Sequence, residues 1–293
     1  MMLPVGLLKT LGGVMQGNMI VSRNIWLDEF ESLNEALVYA GANTDRRSSD
    51  KERDSKWAGT ASLDEAVKLG TDGWQEIRPQ VDAMFSKMEE QINMALGDVF
   101  ETRFDYGGDS VDIDRFMMGD PECMIDYVTT PAGRMGRVVR VLVNGSASAS
   151  VSPERIMQRG VLATALVDVL AKLGVGVEVW LESATDDHGK SKHSQLIKLH
   201  SSEERLDIDN LMFAMAHPSM LRRVGFSILE RTGWANAKKI AQEGQGYGQP
   251  HDCLMKDYIQ ADIVIDKLQN ATGDPVADGV AYIMSTVKGL DLL

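Results

Sequence analysis

The sequence has few cysteines, few aromatic residues and no long uninterrupted apolar run. Two cysteines in 293 residues cannot form a disulfide framework or a four-cysteine zinc site, so a reducing cytoplasm is the expected compartment. Aromatic residues make up 6% of the chain, which limits any extended base-stacking platform. Residues 1–21 are apolar but interrupted by proline and glycine, so they predict neither a signal peptide nor a membrane-spanning helix. We therefore expect a cytoplasmic protein without a membrane partner.

Positive charge is also scarce. Lys and Arg number 30 against 43 Asp and Glu, and the formal net charge of −13 opposes diffuse binding to phosphate backbones or anionic membranes. Any nucleic-acid site must therefore be local. The candidate nucleic-acid-binding residues lie in three short basic segments; they are Arg134, Arg137, Arg140, Lys190, Lys192, Arg222 and Arg223. The alternative is that these residues form solvated faces and internal ion pairs.

The first half of the chain predicts a mostly helical module over residues 24–131. It follows an N-terminal extension, residues 1–23, which we expect to be poorly ordered or to act as a docking tail. Apolar residues at helical spacing predict one helix over residues 25–40 and another over residues 79–99. Residues 42–56 contain no large apolar side chain and predict a charged, solvated linker.

A short helix with a capping box is predicted between two tryptophans. Ser62 and Glu65 have the spacing of a capping box, and Gly70 is expected to end the helix. Trp57 and Trp74 bracket this helix. We expect both rings to pack onto it, and the alternative for them is base stacking.

The second half of the chain, residues 132–293, alternates strands and helices. A β-branched run, a loop of small residues and a long helix follow one another, and two further apolar runs joined by a polar loop predict a hairpin. This order predicts an α/β fold, namely a three-layer sandwich with a mainly parallel sheet and one antiparallel strand. The predicted strands are 137–144, 175–181, 194–200 and 262–266, and the predicted helices are 153–173, 207–216, 218–231 and 276–287.

The loop after the first of these strands is the first place to expect a ligand. Parallel sheets bind ligands beyond the carboxyl ends of their strands, and the loop there contains Asn144, Ser146 and Ser148. Strand, loop, helix and hairpin together resemble the von Willebrand factor A fold, whose first strand ends in an Asp-x-Ser-x-Ser metal-binding motif. The resemblance implies these three residues as ligands of Mg²⁺, although Asn in place of Asp removes the anionic oxygen that Mg²⁺ prefers. The alternative is a small-residue turn that needs no cofactor.

Three further parts of the chain resemble uncharacterised tailed-phage proteins that are described only as domains of unknown function. They are residues 57–74, residues 111–122, and the pair 158–160 with 216–223. Together they cover most of residues 57–231. The resemblance implies a phage protein in the cytoplasm of the host cell and says little about its activity.

No catalytic residues are predicted. His251 and Cys253 lack a recognised ligand or nucleophile pattern, and the carboxylates of Asp112 and Asp114 have a spacing that is common by chance in an acidic chain. We therefore predict a non-enzymatic adaptor that binds single-stranded DNA and recruits a phage transcription or replication enzyme, such as a polymerase. The alternatives are a metal-dependent protein-interaction domain, a virion component, and a hydrolase acting on nucleotides.

Overall fold

The described part of the chain forms two β-sheets, and helices pack against the larger one. The predicted α/β class is confirmed, and the larger sheet is mixed, with both parallel and antiparallel neighbours. The computed structural model describes residues 18–19, 25–46, 49–50, 55–79, 82, 100–106, 110–129, 138–172, 175–189, 191–241, 246–266, 282, 285–286 and 289. No helix within these ranges is both long enough and apolar enough to span a bilayer.

The helices and strands have the following bounds. The strands are β1 (Asn18–Met19), β2 (Ile25–Phe30), β3 (Phe100–Asp105), β4 (Ser110–Val111), β5 (Met124–Thr129), β6 (Val138–Asn144), β7 (Gly176–Asp186), β8 (Lys192–His200), β9 (Gln249–Pro250) and β10 (Ile263–Ile265). The α-helices are α1 (Leu33–Gly41), α2 (Ser55–Ala58), α3 (Leu63–Asp72), α4 (Ile113–Met117), α5 (Pro153–Lys172), α6 (Ile208–Ala216), α7 (Phe226–Arg231) and α8 (Ala235–Lys238). A π-helical segment, Met220–Gly225, leads directly into α7.

The larger sheet has the strand order β1-β2-β8-β7-β6-β10, with β9 paired to β7. Strand β6 is parallel to both β7 and β10, whereas β7 and β8 form the predicted antiparallel hairpin. Asn144 at the end of β6 lies opposite Glu182 of β7. Because the neighbours of β6 on its two sides come from different parts of the chain, its carboxyl end is where α/β sheets usually bind ligands.

The main hydrophobic core lies between this sheet and helices α1, α3, α5 and α6. Val139, Val141 and Val143 of β6 belong to this core, while Leu142 belongs to a smaller cluster with Met255, as the alternation of a strand requires. The predicted strand at 137–144 and the predicted helix at 153–173 are therefore confirmed within one residue at each end.

Helices α5 and α6 cross in backbone contact at Gly160. A Cβ atom added to Gly160 would lie 2.2 Å from the Cα atom of Ala216. No side chain fits at that distance, so this crossing requires glycine. The segments 158–160 and 216–223, which are distant in the sequence, thus meet in space.

The helix predicted over residues 25–40 is wrong in its first part. Residues Ile25–Phe30 form β2, which pairs in parallel with β8. The helix α1 begins only after Ser32, whose hydroxyl accepts a hydrogen bond from the backbone N–H of Glu35 at 3.1 Å. A non-local pairing with β8 therefore overrides the apparent helical spacing of this segment.

The capping box of α3 is confirmed, but its predicted end is wrong. The hydroxyl of Ser62 accepts from the backbone N–H of Glu65 at 3.1 Å. The helix continues through Gly70 to Asp72 and is followed by Gly73, which has a φ of 83°. Gly70 is needed for space instead, because an added Cβ would lie 2.5 Å from the ring of Phe213.

The prediction of a fully solvated linker at residues 42–56 is wrong at two positions. Asn43 and Ser49 are buried, and both donate side-chain hydrogen bonds of 2.7 Å to the carboxylate of Glu230. The partner lies 181 or more residues away in the chain, so the composition of the segment could not show it.

The polar loop predicted at residues 182–193 is also wrong in extent. Most of it is strand, because β7 runs to Asp186 and β8 starts at Lys192. The buried carboxylate of Glu182 accepts a 2.7 Å hydrogen bond from the hydroxyl of Ser194 across the hairpin. Polar residues can thus continue these strands, because their buried side chains form hydrogen bonds with one another.

The division of the chain at residue 132 stays a prediction. Residues 25–30 of the predicted N-terminal module pair with β8 of the second half. The predicted helices at 79–99 and 276–287 lie largely outside the described residues, and so does the extension 1–23 apart from β1.

Candidate functional site

A cavity of about 390 Å³ opens beyond the carboxyl end of β6, and we call it the edge pocket. It lies beside the Asn144 loop, where the sequence predicts a ligand. Its walls combine aromatic rings, small residues and a single arginine. The lining residues are Trp57, Ser146, Ala147, Ser148, Ala149, Thr185, Leu221, Arg222, Phe226, Gly246, Tyr247, Gly248, Gln249 and Pro250.

The floor of the edge pocket is the Asn144 loop, which is held by internal hydrogen bonds. The side-chain oxygen of Asn144 accepts from the backbone N–H of Ser146 at 2.9 Å, and its amide donates to the carbonyl of His251 at 2.8 Å. The hydroxyl of Ser146 both donates to the carbonyl and accepts from the N–H of Ala184. Asparagine suits the first position because an aspartate could not donate to the His251 carbonyl.

The predicted metal ligands therefore lie close together but are already engaged. Asn144 and Ser146 are buried and bonded to protein atoms, while the hydroxyl of Ser148 lies 3.1 Å from that of Ser150. Across the described ranges, no three His, Cys, Asp or Glu side chains come together in a way that could hold a metal ion. These contacts do not present three free oxygens to Mg²⁺, so we derive no chemistry from a metal at this loop.

Arg222 supplies the positive charge of the edge pocket. Its side chain is 1% exposed, and its two terminal nitrogens donate hydrogen bonds to the carbonyls of Trp57 and Val151. Its guanidinium carbon lies 4.1 Å from the centre of the Trp57 ring. Burial lowers the pKa of Arg222 to about 10, although the negative charge of Glu154 acts in the opposite direction and raises it. The guanidinium thus stays protonated at neutral pH, and no other lining residue that the structure describes carries a formal charge.

Aromatic rings form the opposite wall. The rings of Phe226 and Tyr247 are stacked with centroids 3.8 Å apart, and the Trp57 and Phe226 centroids lie 6.1 Å apart. The Trp57 ring N–H donates to the carbonyl of Ala149 at 2.9 Å, which fixes the ring at the rim. Among the described residues, the buried hydroxyl of Thr185 in the pocket wall has no hydrogen-bond partner. The site therefore combines flat apolar surface with a nearby positive charge.

The π-helical segment determines how the two adjacent arginines are used. Arg223 is fully buried and donates to the carbonyls of Ser49, Thr60 and Ala61 at 3.1, 2.9 and 3.3 Å. It ties the 49–61 region to the helix, while its neighbour Arg222 lines the edge pocket. Both side chains are buried and satisfy backbone carbonyls, so neither is a solvated surface charge. Nucleic-acid binding by Arg222 and Arg223 stays a prediction.

Of the other predicted nucleic-acid-binding residues, the two that the structure describes do not line the edge pocket. Arg140 lines a separate cavity of about 280 Å³, where its guanidinium lies 3.6 Å from the carboxylate of Glu178. Lys192 is half-buried at the start of β8. Arg134, Arg137 and Lys190 lie outside the described residues.

The thiol of Cys253 is poorly suited to nucleophilic chemistry. It is 8% exposed, and burial, together with the nearby carboxylates of Glu182 and Asp266, raises its pKa far above the usual range. A thiol that stays protonated is a weak nucleophile. The ring nitrogen Nδ1 of the neighbouring His251 lies 2.9 Å from the carbonyl oxygen of Asp252. Within the described residues, this histidine therefore does not pair with the thiol of Cys253.

Sequence reasoning locates the edge pocket but misses most of its walls. The rule for parallel sheets points to the Asn144 loop, and Trp57 is considered as a stacking residue. Phe226, Tyr247 and Thr185 carry no comparable signal, because they come from distant segments that meet only in the fold.

The fold and this pocket define an α/β protein with a mixed sheet and a ligand-sized cavity at the carboxyl end of β6. The chain belongs to the family described as Domain of unknown function (DUF7192), which matches residues 10–292. Neither the curated proteins nor the solved structures compared with the chain gave a match. The description of this family names no activity.

Proposed function

We propose that this protein is a non-catalytic adaptor that holds a short stretch of single-stranded DNA in the edge pocket. The observation that carries the proposal is the make-up of its wall, which combines three aromatic rings with one buried arginine. No described lining residue is a carboxylate, although the whole chain has a formal net charge of −13. A positive site within an acidic protein favours a local contact with an anionic ligand.

Aromatic rings explain a preference for single strands. An unpaired base can stack on an exposed ring, which contributes about 1–3 kcal/mol per base with little dependence on sequence. Trp57 and Tyr247 are both partly exposed at the pocket, whereas a paired base within a duplex could not reach them. A cavity of about 390 Å³ has the size of a small-ligand pocket, so it takes nucleotide-sized groups and no double helix.

The pocket wall also supports binding without turnover. Its described lining residues include hydroxyls but no imidazole, thiol or carboxylate that could act as a general base. This favours the adaptor over the nucleotide hydrolase, which would need such a group next to its substrate.

The wider setting of the adaptor is part of the same proposal. The succession β6, loop, α5 and hairpin supports a von Willebrand A-like, three-layer interpretation of the second half. We propose further that the protein is of phage origin, acts in the host cytoplasm and recruits a phage transcription or replication enzyme to the strand. These statements rest on the resemblances of the sequence.

Titration of labelled oligonucleotides tests the proposal. Fluorescence anisotropy with a single strand and with the matching duplex, at about 50 mM and 200 mM salt, should show tighter binding of the single strand. The affinity should fall at the higher salt by a modest factor, because the single positive charge beside the pocket can attract few phosphates. Equal binding of the duplex, or no binding at the lower salt, would exclude the single-strand adaptor.

A pair of charge variants locates the site. Gln249 is exposed and lines the edge pocket, so Gln249→Glu adds a negative charge there with almost no change in size. Gln75→Glu adds the same charge at an exposed position outside the pocket wall. The first variant should weaken binding by about fivefold, which corresponds to about 1 kcal/mol of repulsion, and the second should leave it nearly unchanged. An equal effect of both would place the DNA elsewhere.

A further inference from the structure

Large apolar side chains are exposed to solvent on and around α4, and we call this surface the exposed patch. Helix α4 connects β4 to β5 of the smaller sheet, whose strand order is β3-β5-β4. Met118, Met117 and Ile113 are 86, 78 and 72% exposed, values that a folded protein rarely gives to neighbouring residues of this size. The patch consists of Tyr106, Val111, Ile113, Phe116, Met117 and Met118.

Helix α4 exposes its apolar side chains and packs its basic side chain against the protein, which is the reverse of an ordinary surface helix. Its charged residue, Arg115, packs its guanidinium 3.6 Å from the centre of the Phe104 ring and donates to Asp120 at 3.3 Å. Ile113, Phe116 and Met117, at spacings of three and four, are exposed instead. Surface helices normally turn their apolar side inward, so this arrangement leaves an apolar face ready for a partner.

Acidic residues surround the exposed patch. Between residues 104 and 124, Arg115 is the one basic residue in the sequence, and it is already paired with Asp120. The carboxylates of the same stretch that the structure describes are Asp105, Asp112, Asp114, Asp120 and Glu122. This charge repels nucleic acid and anionic lipid, and it favours a partner with basic residues around an apolar centre.

We propose that the exposed patch docks a basic, amphipathic helical segment of another protein. Apolar side chains of that segment contact Ile113, Phe116 and Met117, and its Lys or Arg residues reach the carboxylates of Asp114 and Glu122. Such docking is the usual way in which an amphipathic helix is recognised, with a few apolar anchors and a charged rim. The site is separate from the edge pocket, so the inference does not depend on DNA binding.

Defined peptides test this inference on the full chain. A labelled helical peptide of about 18 residues, with Leu on one face and Lys on the other, is compared with the same peptide carrying Glu in place of Lys. The Leu/Lys peptide should bind, and more weakly at higher salt, whereas the Leu/Glu peptide should not. The Phe116→Ser/Met117→Ser double variant should weaken binding by roughly tenfold. Val38→Ser, at a residue that is 62% exposed on α1, is the matched control and should leave binding unchanged.

Three results would overturn the inference. Equal binding of both peptides would show that charge plays no part. Unchanged binding by the Phe116/Met117 double variant would place the peptide elsewhere on this acidic protein. Sedimentation that shows a dimer lost in the double variant would make a second copy of the chain the occupant. All variants keep buried residues intact, so an unchanged melting temperature is expected and excludes loss of folding.

Discussion

Replacing Gly160 by alanine tests the crossing of α5 and α6, on which the main core depends. The added Cβ would lie 2.2 Å from the Cα of Ala216 and 2.4 Å from its Cβ and N atoms. Alanine gains about 1 kcal/mol over glycine within a helix, whereas overpacking a core costs about 1–3 kcal/mol and sometimes more. The obstructing atoms include backbone, so no rotamer change relieves the clash and the helices must separate. A clash with backbone atoms places the cost at the upper end, about 3 kcal/mol, and the helix gain offsets about 1 kcal/mol of it. We therefore expect Gly160→Ala to lower the free energy of unfolding by about 2 kcal/mol.

Thermal and urea denaturation measure this effect. For a chain of this size, about 2 kcal/mol corresponds to a Tm lower by roughly 4–8 °C. Gly41→Ala is the matched control, because its Cβ would meet Val67 at an ordinary 3.6 Å at the end of α1. That variant should be neutral or slightly stabilised. If Gly160→Ala were as stable as the wild type, α5 and α6 would not cross in contact at this point and the argument from the glycine would be refuted.

Three further predictions concern buried groups. Burial lowers the pKa of His217 to about 4, whereas its value in the unfolded chain is about 6.5. The unfolded chain therefore binds the proton first, and the free energy of unfolding should fall by about 2 kcal/mol from pH 7 to pH 5. Denaturant titrations at both pH values should show a smaller loss in His217→Gln. Asn144→Asp removes the donor to the His251 carbonyl and should cost about 2 kcal/mol with or without Mg²⁺. A rise in the melting temperature of that variant with Mg²⁺ would instead support the metal site. In native protein, iodoacetamide should label the partly exposed Cys123 and spare Cys253, as mass spectrometry can show.

The elements of the second half could be predicted because their signals are local. The β-branched run of β6 and the length of α5 are visible in the residues themselves, and Asp207 caps α6 as a helix start should, accepting from the N–H of Asn210. Strand β2 could not be predicted in this way, because its conformation follows from pairing with β8, more than 160 residues later. The burial of Asn43 depends in the same manner on a distant partner, Glu230.

The candidate site shows the same division between local and distant signals. Its position follows from a general property of parallel strands, and the Asn144 loop lies where that property places a ligand. The roles of Arg222 and Arg223 could not be predicted, because a pair of arginines on a helix is typical of an exposed basic face. Only the fold shows that both satisfy buried carbonyls and that one of them reaches the edge pocket.

The central claim is that a single strand of nucleic acid occupies the edge pocket. Photocrosslinking with an oligonucleotide that carries bromouracil in place of thymine, followed by mass spectrometry of the crosslinked peptides, tests it most directly. The account predicts crosslinks at Trp57 or Tyr247, whose rings line the pocket and are partly exposed, and fewer of them in Gln249→Glu. Crosslinks confined to segments away from the pocket, or equally frequent in that variant, would contradict the account.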